Sequence, residues 1–163
     1  MVFLEAVGTF AGVSVPFVVA YVRYRKRKKD QLRRVRKALL HEIGRTYGVL
    51  DTVEEYIQAR EYLPSYYPST AVYESVGSVL GDMTDEEVRA ITDYYTWAHN
   101  IQWKMSDINN PNREILFRNL LTLHELADDA LTEIETVSGL ERKVPDFEID
   151  DVVIKDTTST ESE

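Results

Sequence analysis

Three histidines, His41, His99 and His124, are the only imidazoles in a 163-residue chain that has no cysteine. The missing thiols exclude a disulfide framework, a thiolate metal site and a cysteine nucleophile. Helical metal sites need ligands about one turn apart, so the neighbours of each histidine matter. None stands in H-E-x-x-H: His41-Glu42 runs on to Arg45, and His124-Glu125 to Asp128. The E-x-x-H pattern of di-iron bundles is missing as well, because positions 38, 96 and 121 hold alanine, threonine and leucine. His124 and Asp128, four residues apart, have the spacing to share a metal, but a helix-surface hydrogen bond or no interaction is the simpler reading. No phosphate-binding loop, G-x-S-x-G elbow or dinucleotide fingerprint occurs. The chain is therefore expected to be non-catalytic, with no catalytic residue, cofactor or metal assigned.

Along the chain, charge gives the clearest organisation. The formal net charge is −9, with 19 basic and 28 acidic residues. Residues 23–37 (RYRKRKKDQLRRVRK) hold ten of the basic residues and one acid, Asp30. From Ala38 onward there are nine basic and 26 acidic residues. Such asymmetry points to a membrane, nucleic acid or partner at the basic block.

The preceding residues favour a membrane. Ala6 to Val22 reads AVGTFAGVSVPFVVAYV, 17 residues without a charge, and Val2–Leu4 extend it past a single acid, Glu5. A helix of about 20 residues matches the roughly 30 Å hydrocarbon core of a bilayer. A cleaved signal would carry its positive charge before the apolar run, and YVRYRKRKK is no small-residue cleavage site. An amphipathic surface helix needs a polar face that 6–22 lacks. Residues 1–22 are thus predicted to be a transmembrane helix with its N-terminus outside. Arg23, Arg25, Lys26, Arg27, Lys28 and Lys29 form a cytoplasmic collar on anionic lipid headgroups. Nucleic acid is disfavoured, because the acidic remainder would repel a phosphate backbone. Gly8 and Gly12 form G-x-x-x-G, a spacing that lets a second helix approach, so the span is a candidate homo-oligomer contact.

After the basic juxtamembrane segment 23–37, the sequence predicts a helical bundle over 38–139. Leu32, Val35, Leu39, Ile43, Tyr47, Leu50, Val53 and Ile57 make one apolar stripe at steps of three and four. The proline-containing loop 62–68 breaks it. A short helix is expected over 70–80, ending at Gly81 in the left-handed conformation. Thr84-Asp-Glu-Glu87 fits a capping box. The next helix carries Val88, Ile91, Tyr95, Ala98, Ile101, Met105 and Ile108. Asn110-Pro111 starts the last one, with Ile115, Leu116, Leu120, Leu123, Ala127, Ala130, Ile134 and Val137 up to Gly139. The expected fold is all-α: one transmembrane helix, a small antiparallel bundle, and a disordered acidic tail over 140–163.

Ten tyrosines are conspicuous. Tyr62, Tyr66 and Tyr67 sit in the proline loop, where they either pack the loop onto the bundle or offer a surface to a protein partner. Few lysines, many acids, threonines and valines also resemble the composition of proteins from salt-loving archaea, where dense carboxylates maintain solubility. The function expected is anchoring or scaffolding a protein assembly at the cytoplasmic membrane face. The alternatives are a self-associating membrane effector, or a small membrane protein of a virus or mobile element; a membrane-tethered enzyme ranks below both.

Overall fold

The computed structural model describes the backbone of residues 2–58, 68–106 and 113–144, and the side chains of 17–55, 68–102 and 115–144. Among these residues the chain is all-helical: α1 Val2–Gln58, α2 Ala71–Leu80, α3 Asp85–Ser106 and α4 Arg113–Ser138. The chain divides into two compact units, Met1–Arg34 and Val35–Glu163.

The first unit is the leading part of α1. No glycine or proline interrupts the chain from Phe17 to Ile43, so every residue there can close its backbone hydrogen bond. Among the described residues, no helix is long and apolar enough to cross a membrane. The run predicted to span a bilayer has most of its side chains, 2–16, outside the described set, and Gly8 and Gly12 fall there too.

In the second unit, the predicted stripe of α1 is the buried one. Val35, Leu39, Ile43, Leu50 and Val53 are buried and Tyr47 is half-buried, while Leu32, also half-buried, belongs to the first unit. Burial extends beyond the stripe to Leu40, Glu42, Gly44, Thr46, Gly48 and Val49. The face is therefore wider than a coiled-coil seam and suits a helix covered by more than one neighbour. α3 packs on α4. Ile91, Tyr94, Tyr95, Ala98 and Ile101 line the inner side of α3, and Leu116, Leu120, Leu123, Ala127, Ala130 and Ile134 that of α4. Ile115 and Val137, predicted to be core, are instead exposed at the two ends of α4.

Helix ends follow local chemistry. The capping box forms: Thr84 N–H donates to Glu87 Oε2 (3.0 Å) and Glu87 N–H to Thr84 Oγ1 (3.2 Å). α4 ends as expected, with Gly139 at φ +63° and its N–H donating to the Glu135 carbonyl (2.8 Å). Gly81 departs from expectation, lying in right-handed space at φ −63°. Asp82 N–H donates to the Val79 carbonyl and Met83 N–H to that of Leu80, both at 3.0 Å. This tight turn satisfies the last carbonyls without a left-handed residue and delivers Met83 to the core. Residues 140–144 do not leave the bundle at Gly139: Arg142 is fixed on α4, and Lys143 places its carbonyl beside Gly44. Residues 145–163, the rest of the predicted tail, lie outside the described residues.

Candidate functional site

The predicted collar is on the surface of α1. Arg23, Arg25, Lys26, Arg27, Lys28 and Lys29 are all exposed, and the Arg25 guanidinium lies 5.7 Å from the centre of the Tyr21 ring. The apolar residues just before them are also exposed: Phe17 is 72% exposed, Val18 59%, Val19 42%, Tyr21 59%, Val22 58% and Tyr24 63%. The far end of the basic block has a different use. Arg36 turns into the bundle and grips Glu87 with two parallel bonds, Nε to Oε1 and a terminal nitrogen to Oε2, each 2.7 Å. The Glu87 side chain has no exposed surface. It therefore caps α3 and ties α3 to α1 in one bidentate, charge-assisted contact. Losing one member of such a buried pair typically costs about 3–5 kcal/mol.

A second buried carboxyl group joins three elements. Glu42 Oε1 accepts from Ser69 Oγ (2.6 Å) and from the Val72 N–H (3.0 Å), while Oε2 accepts from Tyr95 OH (2.5 Å). Thr70, at the cap position of α2, spends its hydroxyl on Glu74 (2.8 Å) instead of a backbone N–H. Glu42 thus supplies the cap of α2 from another helix, where an acidic group complements the dipole. Tyr95 is held between Tyr73, stacked at 4.3 Å, and Tyr94, edge-on at 4.7 Å. Burial raises its phenol far above the usual value near 10, and the bond to Glu42 adds to the effect.

The third polar group surrounds Arg142. Its guanidinium donates to Asp128 (2.6 Å), Glu135 (3.0 Å) and Thr132 (2.9 Å), and lies 5.6 Å from the centre of the Tyr47 ring. Burial lowers the Arg142 pKa, but the bonds to Asp128 and Glu135 outweigh it and hold the value above normal. Tyr47 stacks on His124 at 4.6 Å. Its phenol is raised by burial first, then by the charges of Asp51 and Asp128. The helical pairing of His124 with Asp128 does not form: Asp128 bonds Arg142, and His124 faces Asp51 across the α1–α4 interface.

The Arg36–Glu87 pair, the Asp51–His124 approach and the partners of Glu42 are not legible in the sequence. The Thr84–Glu87 spacing revealed the cap but not Arg36, 51 residues away. A usable signal existed for Glu42, an acid between Leu39 and Ile43 on the apolar stripe. Tyr62, Tyr66 and Tyr67 lie outside the described residues. Comparison of the chain with protein-family models, with curated proteins and with solved structures gave no match in any of the three.

Proposed function

We propose that the chain is a single-pass membrane protein. Its apolar run 2–22 crosses the bilayer with the N-terminal end outside, and its helical bundle acts on the cytoplasmic side as a non-catalytic anchor or scaffold for a protein assembly. The observation that carries this reading is the exposed apolar band at 17–22. Consecutive helical residues are roughly 100° apart, so six in a row face every side of the helix. A protein groove would cover one face and leave the others in water, whereas lipid covers all of them. Burying a side chain of this kind is worth about 1.5–3 kcal/mol.

The exposed collar follows the band directly. Lys and Arg hold such a flank on the cytoplasmic side, and each adds about 1 kcal/mol of attraction to anionic lipid. The scaffolding part of the proposal draws on the bundle, whose buried carboxyl groups are committed to helix caps and helix–helix ties. The loop bearing Tyr62, Tyr66 and Tyr67 is its proposed protein-binding surface.

Because the chain has no cysteine, single cysteines report topology cleanly. Val2→Cys should react with a membrane-impermeant maleimide in intact cells, while Ser78→Cys, on the exposed side of α2, should react only after lysis. Equal labelling of both before lysis, or labelling of Ser78→Cys alone, would refute the proposed orientation.

A further inference from the structure

One cluster in the bundle has chemistry that anchoring leaves unused. Asp51 and Glu54, three residues apart on α1, meet His124 of α4, and one ligand atom from each lies within 4.8 Å of the other two. The His124 side chain is 17% exposed, but its Nε2 atom is inaccessible to solvent and makes no hydrogen bond. Asp51 Oδ1 is 3.8 Å from it, beyond hydrogen-bond range. A buried, unsatisfied ring nitrogen is costly and calls for a physical explanation. The imidazole is also held in place by its stack on Tyr47. The nearby guanidinium of Arg142 donates to Asp128, Glu135 and Thr132, all outside this cluster.

We infer that Asp51, Glu54 and His124 form a binding site for one divalent first-row transition cation, for which zinc is the fitting probe. Two carboxylates and an imidazole make a mixed oxygen and nitrogen set. The imidazole disfavours magnesium and calcium, which take oxygen, and suits zinc. Tetrahedral zinc at about 2.0–2.1 Å from each ligand brings ligand atoms to about 3.3 Å apart, and leaves a fourth position for water. The cluster must therefore contract by roughly 1.5 Å at its widest, as short side-chain rotations would allow. The Asp51 side chain, 58% exposed, has room to make that movement. A cation here would fasten α1 to α4 and stabilise the folded bundle by linkage. The inference does not depend on the membrane reading.

The test uses the full chain in detergent micelles, stripped with a chelator and titrated calorimetrically with zinc chloride and, separately, magnesium chloride. One zinc per chain is expected, with a higher unfolding temperature and no comparable effect of magnesium. Asp51→Asn and His124→Gln should each weaken zinc binding at least tenfold. Asp129→Asn, an exposed acid elsewhere on α4, should leave it unchanged. Cobalt in place of zinc should give the visible bands of a tetrahedral ion, lost in Asp51→Asn. If His124→Gln does not fold, Asp51→Asn and Glu54→Gln decide the matter. No stoichiometric zinc binding, or equal binding by the wild type and Asp51→Asn, would overturn the site. Equal weakening by Asp129→Asn would also overturn it, since that identifies diffuse binding to surface acids.

Discussion

Tyr95 shows how one residue couples packing to pH. Its phenol is buried, stacked on Tyr73 and bonded to Glu42, so the native state holds the proton above the ordinary value near 10. The unfolded chain releases that proton from about pH 10, whereas the native chain keeps it. Tyr95 therefore contributes its full stability below pH 10 and loses it as pH rises toward the native pKa, at about 1.4 kcal/mol per pH unit. Tyr95→Phe should remove one proton's slope above pH 10, while costing about 1–3 kcal/mol at neutral pH by leaving Glu42 Oε2 unpaired. Urea unfolding at pH 8, 10 and 11 measures both, and parallel slopes for the two proteins would count against this account. Little of this was legible in the sequence. Its place on the apolar stripe of α3 puts Tyr95 in the core, but its partner Glu42 lies 53 residues away. Periodicity shows which side of a helix is inward, not which polar atoms meet there.

Helix ends divide between local and tertiary control. The Thr84–Glu87 box and Gly139 were legible because each end is set by residues within one turn of it. The start of α2 was readable only as a position. Its cap comes from Glu42 on α1, and Thr70 bonds Glu74 instead. Gly81 departs from the expected ending because a glycine after a helix suits two endings, a left-handed cap or a right-handed turn, and the burial of Met83 selects the turn. The two glycines should therefore respond oppositely to alanine. Gly81 has right-handed backbone and open space around it, so Gly81→Ala should stabilise by about 0.4–1 kcal/mol, through reduced freedom of the unfolded chain. Gly139 has φ +63°, so Gly139→Ala should destabilise by about 1–2 kcal/mol. Thermal melts of both variants should shift in opposite directions, and a shared sign would show that these backbone angles do not govern the two ends.

For the whole molecule, the order of apolar run, basic block and acidic helical domain was legible as a linear pattern, since hydropathy and charge need no tertiary information. The boundary between block and domain was not. The basic juxtamembrane segment reads as one stretch to residue 37, yet Arg36 belongs to the bundle through Glu87. In the proposed anchor, lipid covers every side of the exposed band that precedes the collar. Carbonate extraction of native membranes tests this most directly. The full chain should remain in the pellet at alkaline pH, and a chain lacking residues 1–29 should move to the supernatant. Release of the full chain, or retention of the shortened one, would contradict anchoring by the first helix.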